Sequence, residues 1–270
     1  MVDLDDFHYR YAWSAPWSWT SAKERLVKFV AHRLLRRQLP RFHGAFVVSA
    51  QDQQEVSRAS GLPTVFLPNV AFSSEQAPTP LPGSKRVLFV GSLWYRPNAE
   101  GVNWFLNHVW PSLRAQVPDA TLTLVGAAPQ SVRAQWETFA GVSAPGFVTD
   151  LAASYRAAQL VVVPLHAGGG TNIKVLEALA YARLCLVTGF VATAFEGHLS
   201  GGRDFLQAQD ARAFLQQAVL ALASGPDLQT VATTGYSAVQ KTFSVDLFKS
   251  RVCDFSNALL IKSRPPGSTA

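Results

Sequence analysis

The stretch that decides the fold is VVVPLHAGGGTNIKVLEALA, residues 161–180. It begins with three consecutive valines, passes through three glycines and continues into an apolar pattern in which Lys174 and Glu177 are three residues apart. An unbroken apolar run is typical of a strand covered on both faces, and residues three apart share one face of a helix. The stretch therefore predicts a strand, a glycine loop and a helix, the repeating unit of a parallel α/β sheet.

The same alternation of apolar strands and amphipathic helices extends in both directions along the chain. The segments RVLFVG, ATLTLVG and LCLVTG predict further buried strands of the same sheet. Three shorter strand candidates, VDLDD, GAFVVSA and TVFLPN, precede a stretch rich in proline and serine. The predicted fold class is α/β, with one complete Rossmann-like domain (a parallel sheet with helices on both faces) and a partial N-terminal Rossmann-like domain. The predicted boundaries are 1–70 for the partial domain, 71–84 for the linker, 85–245 for the complete domain, 246–262 for a C-terminal helix and 263–270 for a disordered tail.

Three segments of the complete domain have more specific predictions. Residues 98–117 are predicted to form one helix and residues 227–260 another, because both are amphipathic over their length. Residues 143–150, SAPGFVTD, combine serine, proline and glycine and predict a turn.

The partial domain is short for its class. A doubly wound domain takes about 150 residues, whereas about 70 precede the linker. We therefore expect the chain to begin in the middle of a sheet, as a truncated product or fragment.

The composition, with 48% hydrophobic and 16% charged residues, is that of a soluble globular protein. The longest apolar runs fall short of the ~18 residues that a membrane span requires, and the N-terminus MVDLDDFHYRY lacks the basic and apolar regions of a signal peptide. Cys185 and Cys253 form no CxxC pair, which favours a reducing compartment and argues against a structural zinc. We therefore predict a cytoplasmic location.

One segment, residues 20–42, carries the whole net charge of +6, because it holds seven basic residues and one acidic residue. One interpretation is a helix that contacts anionic lipid headgroups at the inner face of the membrane. The other is a solvated surface helix. Nucleic acid is not an expected partner, since no recognition motif accompanies the charge.

The glycine loop and its helix predict a site for an anion. If Thr171 is the N-cap, the free N–H groups of the first turn and the helix dipole favour a phosphate there. Three glycines let the backbone approach a ligand closely, and Lys174 adds a full positive charge. Glu177 lies about 9 Å along the axis from Thr171, at roughly 1.5 Å per residue, where a carboxylate can accept hydrogen bonds from a ribose. The pattern fits a nucleoside diphosphate laid along the start of the helix.

Other glycine motifs fit less well. Counted from Gly168, both the P-loop and the dinucleotide motif require a glycine at Ile173, and Val175 replaces the P-loop Ser/Thr. The remaining alternative is a glycine turn followed by an ordinary Lys–Glu pair on a solvated helix face.

The motif resembles the donor site of GT-B glycosyltransferases, in particular family 4, the group 1 transferases. The branch that it resembles has the pattern PLxxGGGTxxKxLEA, which this sequence matches from Pro164 to Ala178. VLFVGSLWYRPNAEGVNWFLNHVWPSL and PGFVTDLAASYRAAQLVVVPL are similar to other parts of that family's donor domain, and VDLDD, FVVSAQDQ and LPN to the end of its acceptor domain. The resemblance covers most of the chain and implies a GT-B fold.

The resemblance also implies roles for individual residues. Lys174 would contact the diphosphate of a nucleotide sugar and Glu177 its ribose, so these two are the implied catalytic residues. Gly146, Phe147 and Val148 would border the base. The full implied donor-binding set is Gly91, Arg96, Gly146, Phe147, Val148, Gly168, Gly169, Gly170, Thr171, Lys174 and Glu177.

The sequence departs from the family pattern at two places. Gly169 stands where a first glutamate, separated from Glu177 by seven residues, usually meets the sugar; in the branch named above the glycine backbone takes that place. Ser92 and Leu93 stand where an arginine is common. Arg96 is the nearest cation, and its alternative is an ordinary exposed loop arginine.

The implied activity is a retaining, hexosyltransferase-like glycosyltransferase of polysaccharide biosynthesis. The resemblance implies that it needs no metal and no cofactor, since the nucleotide sugar is a substrate. It would move a sugar from a nucleotide-sugar donor to a glycan or lipid-linked acceptor, with the helix dipole and cations stabilising the leaving diphosphate. Two alternatives stay open: a catalytically inactive fragment that binds a nucleotide sugar, and a GT-B-fold sugar epimerase that shares the ribose-binding glutamate.

Overall fold

The structure is a computed structural model that describes residues 1–4, 30, 33, 36–48, 50–71, 77–168, 171–223 and 225–263. Most of the basic segment 20–42 lies outside these residues, so the prediction of membrane contact stays a prediction. The chain divides into two compact units. The first unit comprises residues 1–70, 167–171 and 243–270, and the second unit comprises residues 71–166 and 172–242.

The first unit is built on a three-stranded parallel sheet in the order β1-β2-β3. Its strands are β1 (Val2–Leu4), β2 (Ala45–Val47) and β3 (Thr64–Phe66), and helix α1 (Ala50–Ser60) connects β2 to β3. These three strands confirm the strand candidates VDLDD, GAFVVSA and TVFLPN.

The two faces of β2 are buried against different neighbours because successive side chains of a strand point to opposite faces. Ala45 and Val47 belong to one apolar cluster with Val56 of α1. Phe46 belongs to the other, where its ring lies 5.1 Å from that of Phe255 on the C-terminal helix (Val245–Ser263) in an edge-to-face arrangement. The C-terminal helix is therefore part of the first unit.

The second unit is built on a six-stranded sheet in which every pairing is parallel. Its elements, in chain order, are β4 (Arg86–Val90), α2 (Arg96–His108), α3 (Trp110–Gln116), β5 (Thr121–Val125), α4 (Gln130–Trp136), β6 (Val142–Gly146), α5 (Leu151–Ala157), β7 (Leu160–Val163), α6 (Ile173–Ala180), β8 (Leu184–Thr188), α7 (Gly189–Thr193), β9 (Leu206–Ala208), α8 (Ala211–Ala223) and α9 (Pro226–Thr242). The helix Val245–Ser263 of the first unit is α10.

The strand order of this sheet is β6-β5-β4-β7-β8-β9. Successive strands are added on one side of β4 up to β6 and then on its other side from β7 onward, so the order of addition reverses between β4 and β7. The chain connections after β4 and after β7 therefore leave toward opposite sides. In open α/β sheets, ligands bind in the crevice outside the carboxyl ends of the strands at such a reversal. The fold therefore predicts a ligand site at the carboxyl ends of β4 and β7.

Three predictions about single elements were wrong. Residues 98–117 form two helices, because the chain breaks at Val109. Pro111 is the second residue of α3 and lies in its first turn, where a residue without an N–H is tolerated. Residues 143–150 contain most of strand β6, not only a turn; Pro145 is accommodated because β6 is an edge strand.

Residues 227–260 also form two helices, α9 and α10, instead of one. The second of them, Val245–Ser263, agrees with the predicted C-terminal helix 246–262. The break lies at Phe243, which is buried, and Ser244. The Ser244 hydroxyl accepts a hydrogen bond of 3.3 Å from the Leu247 amide and so caps the start of α10.

The residues before β4 are fastened to the second unit. The guanidinium of Arg183, which is fully buried, donates to the Pro80 carbonyl at 2.9 Å, and the Gln159 side chain accepts from the Gly83 amide at 3.0 Å. The part of the predicted linker from residue 79 onward therefore has a defined path.

Candidate functional site

The predicted lysine and glutamate both lie on α6, which follows the reversal point of the sheet. The helix begins one residue later than predicted: its N-cap is Asn172, whose side chain makes no capping hydrogen bond. Thr171 is not the N-cap, because its hydroxyl donates instead to the Val48 carbonyl at 3.2 Å, within the first unit. Lys174 is consequently the second residue of α6 and lies in its first turn.

The ammonium of Lys174 is held at the carboxyl end of β4. It donates to Oδ1 of Asn98 at 3.0 Å, and Nδ2 of Asn98 donates to the Ser92 carbonyl at 2.7 Å. The ammonium also lies 5.6 Å from the centroid of the Phe89 ring, a cation–π distance. Asn98 is buried, so a polar side chain from α2 joins the lysine to the loop that follows β4.

Gly91 makes this close arrangement possible. A Cβ atom at Gly91 would lie 2.8 Å from Nδ2 of Asn98 and 3.1 Å from Cε of Lys174, so a side chain there would collide with Asn98 and crowd the lysine. The Gly91 amide donates to the Val125 carbonyl at 3.0 Å. The absence of a side chain at Gly91 therefore leaves space for the lysine, while the Gly91 N–H continues the hydrogen bonding between β4 and β5.

Glu177 has a buried partner of its own. The hydroxyl of Tyr155, on α5, donates to Oε2 of Glu177 at 2.7 Å. The Tyr155 side chain is fully buried and stacks on Tyr181, with ring centroids 5.0 Å apart and planes 8° from parallel. The carboxylate is thereby fixed from the side of the protein interior.

Burial dominates the electrostatics of this cluster. Desolvation lowers the pKa of Lys174 to about 8, against an opposing effect of the Glu177 charge. Desolvation also raises the pKa of Glu177, against the opposing effects of the Tyr155 hydrogen bond and the Lys174 charge. Each group thus stabilises the charged form of the other, but only in part. A cation and a carboxylate with shifted pKa values at the mouth of a sheet are typical of a functional site.

Other predicted residues lie at the same carboxyl edge of the second unit. Gly146 ends β6 with φ of +84°, and the Arg133 guanidinium beneath it donates to the carbonyls of Ala144 and Pro145, both at 3.2 Å. Phe147 follows with 80% of its side chain exposed, and Val148 is half-buried. These residues are separated from the Lys174 cluster by strand β5.

The remaining predicted residues are placed as follows. Arg96 is at the exposed start of α2 and pairs with Glu100 at 2.6 Å. Gly168 has φ of +134° and belongs, like Thr171, to the first unit. Gly169 and Gly170 lie outside the described residues.

Two members of the cluster, Asn98 and Tyr155, were not predicted from the sequence. Asn98 stands in the segment YRPNAEG, where a polar residue near a helix start looks like an exposed position. Tyr155 lies on the apolar face of a short helix, where a core role is the ordinary expectation. Only the fold places them against Lys174 and Glu177.

Two further properties concern the described part of the chain. Its residues include no group of three or more His, Cys, Asp or Glu side chains arranged to hold a metal ion. None of the helices that the structure describes combines the length and the apolar character needed to cross a bilayer.

Comparisons with known proteins agree with this architecture. The model of the family described as "Glycosyl transferases group 1" matches residues 84–224, just over half of the chain. An "Uncharacterized 44.6 kDa protein in cps region" of Klebsiella pneumoniae is 30% identical over 101 residues, which make up 34% of this chain and 26% of that protein.

Solved structures show the same fold. Sucrose-phosphate synthase from Thermosynechococcus elongatus superposes with a TM-score of 0.72 at 18% identity, covering 95% of this chain and 66% of that one. HepE from Anabaena, solved with UDP and glucose, gives 0.67 at 14% identity over 84% of this chain and 66% of its own. TarM from S. aureus, solved with UDP among its ligands, gives 0.69 at 8% identity over 83% and 46%. These likenesses confirm the predicted GT-B-type α/β fold, and the chain spans 66% or less of the length of each of these proteins.

Proposed function

Because this chain belongs to the group 1 glycosyl transferases, we propose that it transfers a sugar from a nucleotide-sugar donor to an acceptor. The observation that carries the proposal is the placement of Lys174 and Glu177 on one helix beside the reversal point of the sheet. The lysine is held next to the narrow loop at Gly91, and the carboxylate lies three residues further along α6. In a nucleoside diphosphate the ribose follows the diphosphate in the same way, so Lys174 is placed to meet the diphosphate and Glu177 to meet the ribose.

In the proposed complex, Lys174 and the free amides of the first turn of α6 bind the diphosphate, aided by the positive end of the helix dipole. Glu177 accepts hydrogen bonds from the ribose hydroxyls. Gly146, Phe147 and Val148 border the base, as the family resemblance implies. The glycines of the preceding loop and Arg96 complete the phosphate contacts.

The proposed chemistry places the developing negative charge where these donors already point. As the bond between the anomeric carbon and the diphosphate oxygen breaks, negative charge builds on that oxygen in addition to the charge that the diphosphate already carries. A prearranged cation therefore stabilises the departing diphosphate more than it stabilises the diphosphate of the intact donor. The acceptor hydroxyl forms the new bond and its proton leaves with the diphosphate. We propose that the reaction retains the anomeric configuration, does not require a metal, and uses a glycan or lipid-linked acceptor.

Calorimetry with ADP, GDP and UDP tests the proposed donor site. We expect one of these to bind, and Glu177→Ala to weaken that binding about tenfold or more, as for loss of a hydrogen bond to a charged group. The parent chain is then incubated with the matching nucleotide sugars and candidate glycan acceptors, and mass spectrometry follows the products. Free nucleoside diphosphate together with a new glycoside supports a transferase.

Other outcomes separate the alternatives. Nucleotide binding without any turnover points to a non-catalytic binding protein, and isomerised donor in the absence of acceptor points to an epimerase. If no ribonucleoside diphosphate binds, or if the Glu177→Ala variant binds as tightly as the parent, the assignment of the site is wrong.

The low pKa of Lys174 predicts a pH dependence of nucleotide binding. The charged lysine binds the diphosphate, and its pKa in the free protein is about 8. Affinity is therefore highest below pH 8 and is lost as the pH rises through 8, by about tenfold between pH 7 and pH 9 for a single titrating group. Calorimetry at these pH values measures it.

A Lys174→Arg variant is the control, because arginine stays charged throughout this range. Its affinity, whatever its absolute value, is expected to change by less than about twofold between pH 7 and pH 9. An equally steep loss in both proteins would assign the titration to another group.

A further inference from the structure

The hydroxyl of Tyr155 is buried directly behind the carboxylate of Glu177. The tyrosine comes from α5, 22 residues earlier in the chain, and its 2.7 Å hydrogen bond ends on Oε2. Its ring is stacked on Tyr181, and the guanidinium of Arg156 lies 6.0 Å from the centroid of that second ring. A fully buried ring in a stack has little freedom to rotate. The hydroxyl therefore has a fixed position.

We propose that Tyr155 is a positioning residue that orients the Glu177 carboxylate for the ribose and so sets the preference of this site for ribonucleotides over 2′-deoxyribonucleotides. This inference rests on the proposed function, in which Glu177 binds the sugar of the nucleoside diphosphate. Tyr155 itself does not touch the ligand.

The geometry explains why a second residue is needed. The terminal torsion of a glutamate is broad, so an unsupported carboxylate populates many orientations. A pair of neighbouring ribose hydroxyls is satisfied only when both carboxylate oxygens face it. A carboxylate offers about four acceptor positions, and Tyr155 occupies one of them on Oε2. The hydrogen bond thus fixes the orientation and leaves acceptor positions for both hydroxyls.

The charge of the carboxylate depends on the same contact. Burial raises the pKa of Glu177, whereas the hydrogen bond from Tyr155 and the charge of Lys174 lower it. The other titratable groups around the pair are Tyr181, which stacks on Tyr155, and Cys185, which is buried in β8 near Lys174 and Tyr155. Loss of the phenol therefore raises the pKa of Glu177. A protonated carboxyl keeps fewer acceptor positions for the ribose.

The test compares Tyr155→Phe with the parent by calorimetry, using ADP, GDP and UDP together with their 2′-deoxy counterparts. Phenylalanine keeps the stacked ring, so the fold is expected to survive, which circular dichroism checks. We expect the best ribonucleotide to bind about tenfold more weakly, because a carboxylate that has lost its orientation forms one hydrogen bond fewer with the ribose hydroxyls. Its 2′-deoxy counterpart is expected to change by about twofold or less, so that the ratio of the two affinities falls. Tyr181→Phe removes a hydroxyl from the other ring of the stack and is expected to leave the ratio unchanged.

A second measurement follows the pH dependence. In Tyr155→Phe the loss of ribonucleotide affinity on acidification is expected to set in at a higher pH than in the parent. If Tyr155 has a merely structural role, Tyr155→Phe lowers the affinity for both nucleotides equally and leaves unchanged the pH at which affinity is lost on acidification. That result overturns the inference. If the parent binds ribonucleotides and Glu177→Ala weakens them while Tyr155→Phe does not, the proposed function stands and this inference falls. If the parent binds none of the nucleotides, both fall.

Discussion

A Lys174→Met variant is expected to lose about 100- to 1000-fold in kcat/KM for sugar transfer, the range seen when a donor to a developing negative charge is removed. Methionine has a similar length and keeps the apolar contacts of the lysine stem. What it lacks is the ammonium that Asn98 holds beside the loop after β4. In the proposed reaction the departing oxygen carries more charge in the transition state than in the ground state, so we expect the loss mainly in kcat.

Lys241→Met is the matched control for this prediction. Lys241 is an exposed residue in the last turn of α9, and exposed charges contribute little to stability or to a distant site. We expect its kcat/KM to stay within about twofold of the parent value. Steady-state kinetics with the donor found by calorimetry compares the two variants. A Lys174→Met enzyme as active as Lys241→Met would remove Lys174 from the reaction.

A Gly126→Ala variant is expected to lose about 3 kcal/mol or more of unfolding free energy, because strain and overlap act together. Gly126 follows β5 with φ of +146°, a conformation that side chains rarely adopt. A Cβ atom there would overlap the carbonyl oxygen of Gly91. The Gly126 amide also donates to the Gly146 carbonyl at 2.9 Å, so the chain cannot move away without breaking the link to β6.

Gly225→Ala is the control, since a Cβ atom at Gly225 would meet only open space. Urea denaturation followed by circular dichroism measures both variants against the parent. Gly225 precedes α9 and its carbonyl accepts from the Leu228 amide, a position where alanine is less favourable than glycine. We therefore expect Gly225→Ala to lose no more than about 1 kcal/mol. Equal stability of the two variants would mean that the carboxyl ends of β4 and β5 lie farther apart than the structure places them.

The sequence predicted the centre of the large sheet better than its edges. Strands β4, β7 and β8 are covered on both faces, so they consist almost wholly of apolar residues, which the pattern reveals. Strand β6 is an edge strand with a serine and a proline, and its composition looks like that of a turn. Strand β9 has three residues, too few for any period, and was missed.

The same distinction applies to the candidate site, where residues linked by a local spacing were predicted and residues brought together only by packing were not. Lys174 and Glu177 were proposed as site residues because their spacing along one helix is visible in the sequence, and Gly91 because of the family resemblance. Their buried partners come from elements 76 and 22 residues away along the chain. No local pattern connects residues so far apart, since only the packing of α2 and α5 brings them to α6. Thr171 was misplaced for a related reason: its hydroxyl bonds to Val48, more than 100 residues earlier.

The residues behind Lys174 have a consequence for the proton affinity of the lysine. The ammonium is flanked by an amide from Asn98 and a ring from Phe89, and in the proposed complex the diphosphate meets the lysine and neither of these two. Burial is the main cause of the low pKa of Lys174, and the buried Phe89 ring lies beside the ammonium. A smaller side chain at position 89 would admit water there and raise the pKa of the lysine toward its ordinary value, while the residues proposed to meet the diphosphate stay the same.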